Sequence, residues 1–564
     1  MSRLPSILRG LARPISDDQS QTRSGFLNVR WLRTALVAAS AATLSACSPT
    51  ASDTRLASLV FCSEGNPESF NPQLATSGTT FDATARTVYD ALVRFNSETV
   101  TVDPALARSW NNLDQGKRWR FQLRDDVWFH RTEEFQPSRP FNADDVVFSF
   151  KRQLDDNHPF HDIGGGTYPY FQITGLSDKL LDVRAIDRYT VEFLLREKEP
   201  RFLEMLSMEF ASILSAEYAD WLTARQRPEQ IDQHPIGTGP FQFVSYRPNR
   251  DIRFKRFDHY FLGAAKLRDL IFAITPNTSL RLSRLRAGEC DVMAQPSPAQ
   301  HQFIRQIPEL RLIQQRGLNI SYWAFNTQKP PFQDVRVRQA FNFAINRQPI
   351  IDTVYFSSAE LAVSPVPPSL LPHEQQIPIY RFDPLYAREL LQQANFPFEQ
   401  TIEIWAMPVS RPYNPNARKM AELIQEDLRH IGVKARIVSY EWREFLRRVS
   451  LGEAQSVLMG WSADLPSPDN FLSPLLSCAA MQVGSNRAFW CDQEFDALLQ
   501  RALEANDPTT RQQIYLDALR MFKHQAPWLT IAHGSQSIAT RANVKFVDLN
   551  FSGGVNFLRT EKSL

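Results

Sequence analysis

This sequence predicts a mixed α/β fold built on at least one mostly parallel sheet. Residues 402–461 alternate strand and helix patterns in the order β-α-β-α-β, the order produced by parallel strands joined through crossover helices. Elsewhere period-two strand patterns alternate with capped amphipathic helices, with no fixed-period repeat. At 564 residues the chain exceeds a single typical core, so two or three lobes are expected.

Each element follows from local chemistry. Residues 58–160 alternate strand and turn signals, and RWRFQLRDDVWFH (118–130) has the alternation of a half-buried strand. NADDVVFSFKRQL (142–154) opens with Asn142 as an N-cap and with Asp144 and Asp145 in the first turn, which marks a helix start. HPIGTGPFQFVSYRPNRDIRFKRF (234–257) places a Gly/Pro turn before a β-hairpin. QDVRVRQAFNFAINR (333–347) spaces Val335, Ala340, Phe343 and Ala344 as a helix does.

The region 402–461 is the most informative. IEIWAM (402–407) reads as a strand and PVSRPYNP (408–415) as a loop. NPNARKMAELIQEDLRHIG (414–432) reads as a helix, with Asn414 as N-cap, Pro415 in the first turn and Gly432 at the end. Its apolar residues Met420, Leu423, Ile424, Leu428 and Ile431 share one face. VKARIVSY (433–440) is a second strand, EWREFLRRVSL (441–451) a helix and AQSVLMGW (454–461) a third strand. Ligands of open α/β sheets bind beyond the carboxyl ends of the strands. Arg411 and Asp464 both fall just past such ends, which puts one cation and one anion at the same sheet edge. The plainer reading is that the two pair with each other, an exposed salt bridge contributing about 0–1 kcal/mol. The sharper one is a ligand with opposite charges at its two ends, such as a short peptide. A peptide ammonium or carboxylate leaving water needs a fixed counter-charge. Arg suits the carboxylate through paired hydrogen bonds, and Asp suits the ammonium.

Composition excludes other classes. Hydrophobic residues at 43% with 22% charged residues indicate a folded rather than a disordered chain, and no basic domain suggests nucleic acid. Arg30 and Arg33 precede the apolar run 34–44 and the small-residue sequence LSAC, ending at Cys47. That is the order of a secretory signal, and the run is too short to span a membrane. LSAC resembles a lipobox, so residues 1–46 are expected to be a lipoprotein-type signal peptide and Cys47 the lipidated first residue of the mature chain. Without residues 1–46 there remain 57 basic and 59 acidic residues, a nearly neutral protein. Four cysteines remain: Cys62, Cys290, Cys478 and Cys491. An even number in an exported chain favours disulfides, of which three pairings exist. The pair Cys478–Cys491 closes a short loop and leaves Cys62 and Cys290 to tie distant segments. Neither CxxC nor a Cys/His cluster suggests a metal, and no cofactor is expected. G-x-S-x-G, H-E-x-x-H and a phosphate loop are absent, so no catalytic residues are assigned. His158 and His161 beside the glycines 164–166 read as a turn rather than as heme ligands.

Five segments and two short motifs carry a resemblance along essentially the whole mature chain: CSEGNPESFNPQLATSGTT (62–80), FNADDVVFSFKRQL (141–154), PIGTGPFQF (235–243), NARKMAELIQ (416–425) and MGWSADLPSPDNF (459–471), with SCAA (477–480) and WCD (490–492). The chain resembles the solute-binding proteins of peptide ABC transporters, extracellular solute-binding family 5, and within them the dipeptide-specific branch. The resemblance implies a two-lobe periplasmic-binding-protein fold (type II, cluster C). Lobe I, residues 55–315 plus 535–564, would be discontinuous and carry an inserted subdomain near 90–230; lobe II would be residues 316–534. It also implies the pairing Cys62–Cys290 and Cys478–Cys491. Peptide contacts fall on Thr76, on Arg411, Pro412 and Tyr413, and on Trp461, Ser462, Ala463 and Asp464. In the family the arginine meets the peptide carboxylate and the aspartate its ammonium, and backbone groups bind the peptide like an added strand. After the aspartate, dipeptide-specific members carry Gly-rich residues where this chain has LPSP (465–468), so the pocket rim is expected to differ. The implied protein is a monomer in the periplasm of a Gram-negative bacterium, lipid-anchored through Cys47, with a short peptide as ligand and an inner-membrane permease and ATPase as partners. Sap-type binding of antimicrobial peptides, heme binding and an exported hydrolase are the alternative functions.

Overall fold

The computed structural model describes residues 58–96, 101–372, 376–483, 485–505, 507–550 and 553–563. The signal segment, with Arg30, Arg33 and Cys47, lies outside the described residues.

A large mixed sheet organises the chain. Its strands run in the order Lys434–Val438, Thr401–Ala406, Ser456–Ser462, Asn319–Phe325, Trp528–Arg541, Val292–Ala294, Ser58–Ser63, Asp269–Ile274, Asp251–Arg256 and Phe241–Arg247. Leu310–Arg316 and Ala359–Leu361 also pair with Trp528–Arg541. The expected β-α-β-α-β unit is present, with helices Ala417–His430 and Trp442–Ser450. All three of its strands are parallel, Thr401–Ala406 lying between the other two. Beyond it the sheet departs from mostly parallel, because Ser456–Ser462 pairs antiparallel with Asn319–Phe325 and that strand antiparallel with Trp528–Arg541. The predicted hairpin forms between Phe241–Arg247 and Asp251–Arg256. A separate four-stranded antiparallel sheet takes the order Ala107–Leu113, Arg118–Leu123, Thr190–Leu195, Leu180–Asp187.

Apolar residues collect in two main clusters. One, within residues 318–532, centres on Trp323, Phe341, Met420 and Trp528; the other joins residues 59–294 to Leu465 and to residues 538–557. Strand Trp528–Arg541 serves both, giving Trp528, Leu529, Ile531 and Ala532 to the first and Ile538 to the second. Its first half thus packs in one cluster and its second half reaches the other. Disulfides link Cys62 to Cys290 and Cys478 to Cys491.

Helix starts follow side-chain capping. The Asn142 side chain accepts from the Asp144 amide and its own amide donates to Asp145 Oδ2, starting helix Ala143–Leu154 as expected. The next case corrects the sequence reading. The N-cap of Ala417–His430 is Asn416, which accepts from the Lys419 amide at 3.0 Å, and not Asn414. Asn414 is fully buried and closes a turn with Arg411, each backbone amide donating to the other's carbonyl at 3.0 and 2.9 Å. Its side chain therefore faces inward, toward Met420 Sδ, and Pro415 stands before the helix rather than in its first turn.

Candidate functional site

Arg411 and Asp464 follow neighbouring parallel strands, Thr401–Ala406 and Ser456–Ser462, at their carboxyl ends. They form no ion pair with each other, and among the described residues neither has a salt-bridge partner. The plainer reading, a mutual surface salt bridge, is not what the chain builds.

Asp464 is held by a compact loop. The Ala463 amide donates to the Leu318 carbonyl at 2.8 Å and continues the sheet pairing one residue past the strand. Asn470 Oδ1 then accepts from the Asp464 amide at 3.0 Å and from Trp461 Nε1 at 3.1 Å. Ser462 pairs with Asn319, and Trp461 with Ile320, in the strand register. Tyr170 donates its hydroxyl to Asp464 Oδ1 at 3.1 Å. Burial pushes the Asp464 carboxyl up to about 6 against the lowering effect of the Tyr170 bond, and the charge of Glu209 adds to the rise. Burial, with Asp464 beside it, raises the Tyr170 phenol as well. The Asp464 carboxylate is thus half-buried, with one side-chain donor and no cation among the described residues.

Arg411 is exposed. Its guanidinium lies over the Trp442 ring at 5.3 Å, and Nη1 reaches the Ser410 carbonyl at 3.4 Å. The backbone beneath it is firmly placed: Tyr355 donates its hydroxyl to the Tyr413 carbonyl at 2.6 Å. Burial raises the Tyr413 phenol, and Arg411 opposes that rise. Two glycines make room for this loop. A Cβ on Gly460 would lie 2.2 Å from Tyr413 Cδ2, and one on Gly534 would lie 2.5 Å from the Pro412 carbonyl oxygen. Tyr413 and Pro412 thus rest directly on the strands Ser456–Ser462 and Trp528–Arg541.

Thr76 is exposed just after the turn Pro72–Leu74, and its amide donates to Glu68 Oε2 at 3.2 Å. Its side chain makes no hydrogen bond among the described residues. The following helix, Gly78–Ala83, carries Phe81, whose ring packs 5.9 Å from that of Tyr170. A cavity of about 320 Å³ is lined by Arg305, Gln314, Arg316, Ser358, Glu360 and His533; none of Thr76, Arg411, Pro412, Tyr413, Trp461, Ser462, Ala463 and Asp464 lines it. His533 precedes Gly534 and donates Nδ1–H to the Asn319 carbonyl at 2.7 Å, and burial lowers its imidazole to about 4. It stands as a neutral group at neutral pH. His158 and His161 lie in a turn, as expected, with His161 Nδ1 on the Arg152 carbonyl at 2.8 Å.

Tyr170, Glu209 and Asn470 were not singled out by the sequence. Asn470 lies within the quoted GWSADLPSPDNF motif, but Tyr170 is 294 positions from Asp464, and no local pattern links them.

Comparison with known proteins identifies the family. The family model for bacterial extracellular solute-binding proteins, family 5 Middle, matches residues 101–482. The dipeptide-binding protein of Escherichia coli (strain K12) is 45% identical over 487 residues, 86% of this chain and 91% of that protein. The crystal structure of the dipeptide-binding protein from Pseudoalteromonas sp. SM9913 in complex with Met-Leu superposes with a TM-score of 0.76 at 42% identity, over 90% of this chain and 100% of that one. HbpA2 from Haemophilus parasuis superposes with a TM-score of 0.85 at 38% identity over the same shares. With its parallel strand ends presenting Arg411 and Asp464 and this similarity over most of its length, the chain belongs to the bacterial extracellular solute-binding proteins of family 5.

Proposed function

We propose that this protein is the extracytoplasmic substrate-binding component of an ABC importer, capturing short peptides, dipeptides foremost, and delivering them to a membrane permease and its ATPase. One observation carries the reading: a half-buried carboxylate without a cation and an exposed guanidinium without a carboxylate, among the described residues, stand at adjacent parallel strand ends. Asp464 takes the peptide ammonium beside Tyr170, and Arg411 takes the carboxylate. Thr76, Pro412, Tyr413, Trp461, Ser462 and Ala463 contribute the walls and backbone groups between them. The names of the dipeptide-binding relatives support a peptide ligand.

Two apolar clusters sharing one long strand support a division into lobe I (55–315 plus 535–564, with an insertion near 90–230) and lobe II (316–534). Closure of such lobes about connecting strands is a hinge motion, and it would bury the peptide and create the surface that the permease meets. The protein works as a periplasmic monomer, held to a membrane through a lipid on Cys47, and it binds its peptide without turning it over. Mass spectrometry of small molecules released from protein purified out of the periplasm tests the reading. Peptides of two or three residues with free termini are expected; heme or long cationic peptides as the sole cargo would refute it.

A further inference from the structure

Arg201 links the Asp464 loop to the buried acid Glu199. It precedes the short helix Phe202–Leu206, and its Nη1 donates to Asp469 Oδ2 at 2.7 Å while its Nε donates to Glu199 Oε1 at 3.0 Å. Both acids are buried, at 0% and 1% exposure. Lys179 Nζ holds the other oxygen of Glu199 at 2.5 Å, so the guanidinium is fixed from behind. Asp469 is the first residue of helix Asp469–Leu476, and its second oxygen accepts from Ser473 Oγ. The next residue, Asn470, is the one that clamps the Asp464 amide and Trp461 Nε1.

The chain between the two aspartates is stiff and pinned. Pro466 and Pro468 restrict it, and the Ser467 amide donates to the Leu465 carbonyl at 2.9 Å. Leu465, 3% exposed, enters the apolar cluster that contains Phe171, Leu176, Phe202 and Leu206. The LPSP sequence thus forms a bracket whose near end is seated by Leu465 and whose far end is seated by Arg201 on Asp469. In the lobe division proposed above Arg201 belongs to lobe I and Asp469 to lobe II, so the pair forms where the lobes meet; without Arg201 a fully buried carboxylate would lack its cation there, and the helix start would shift to bring Asp469 toward water. Asn470 would move with it, and with Asn470 the backbone of Asp464.

We propose that Arg201 is a positioning residue for ammonium recognition: by holding Asp469 it sets the Leu465–Pro468 bracket and, through Asn470, the place of the Asp464 carboxylate beside Tyr170. This role rests on the peptide reading above. Arg201 itself need not touch the ligand.

The test measures, by calorimetry, binding of a free dipeptide and of its N-acetylated form to the full-length protein and to Arg201→Ala, Arg201→Gln and Arg201→Lys, with melting curves alongside. Arg201→Ala and Arg201→Gln should weaken the free dipeptide about tenfold, or ~1.4 kcal/mol, and leave the acetylated peptide unchanged. Arg201→Lys, which keeps a cation near Asp469, should recover part of the loss. Arg201→Gln carries the same comparison if Arg201→Ala does not fold. Equal weakening of both peptides would show a merely structural role and overturn the proposal, as would an unchanged preference for the free amino terminus in folded variants. No preference for that terminus in the parent protein would instead overturn the peptide-end reading, and the role of Arg201 with it.

Discussion

The Tyr170 hydroxyl donates to Asp464 Oδ1 across 3.1 Å, the only side-chain hydrogen bond that this carboxylate receives among the described residues. One oxygen is thereby oriented, and Oδ2 is left without a protein donor for an incoming ammonium. Tyr170→Phe should weaken binding of a free dipeptide by about tenfold, the scale of a hydrogen bond to a charged group, and spare an N-acetylated one. Because the Tyr170 bond lowers the Asp464 pKa, its removal should also enlarge the deficit as pH falls. Calorimetry at two pH values reads both effects.

Affinity for a free dipeptide should depend on pH through Asp464 itself. Its carboxyl is raised from 3.8 to about 6, so the ionised form needed by an ammonium is complete above about pH 7. Binding should weaken by about tenfold per pH unit well below 6. The same shift sets the sign for stability. The folded chain holds this proton more tightly than the unfolded chain, so the free protein loses stability as pH rises from about 4 through about 6. Asp464→Asn removes that penalty: it should stabilise the unliganded protein at pH 7.5 by ~1–3 kcal/mol while abolishing ammonium recognition. The gain should vanish below about pH 4 in melting curves.

Arg411 is exposed, and its guanidinium reaches the Ser410 carbonyl and the Trp442 ring. Arg411→Ala should change stability by no more than about 0.5 kcal/mol, as surface substitutions do. Dipeptide affinity should nevertheless fall on the order of a hundredfold, the loss typical of a hydrogen-bonded charge pair. A peptide with an amidated carboxyl end should bind parent and variant alike, which a competition assay reads directly.

The loop that carries Arg411 needs Gly534. A Cβ there would stand 2.5 Å from the Pro412 carbonyl oxygen, so Gly534→Ala should displace the loop. The expected outcome is a loss of about 1–3 kcal/mol in stability from overpacking, together with weaker binding of free dipeptides. Thermal melts and titrations on the same preparation check both. Gly460→Ala should behave similarly, since Tyr413 Cδ2 and the Ile320 carbonyl oxygen occupy that space.

Much of this was legible in the sequence because it is written in local periodicity. The β-α-β-α-β unit, the capped helix Ala143–Leu154 and the hairpin at 241–256 each come from patterns a few residues long, and strand order then puts Arg411 and Asp464 at one edge. Asn414 misled because a polar residue before a proline looks like a cap; its burial in a turn with Arg411 passes the cap to Asn416. Tyr170, Glu209 and Arg201 were illegible for another reason. Their meeting with the 464–470 loop joins distant stretches of chain, and the antiparallel neighbours of Ser456–Ser462 likewise depend on chain returning from far away.

The most direct test of the central claim is a calorimetric titration of the parent protein with four ligands: a free dipeptide, its N-acetylated form, its C-amidated form and the doubly blocked form. If Asp464 and Arg411 hold the two peptide ends, each single block should weaken binding on the order of a hundredfold. The acetyl effect should disappear in Asp464→Ala and the amide effect in Arg411→Ala. Equal affinity for all four ligands in the parent protein would contradict the account.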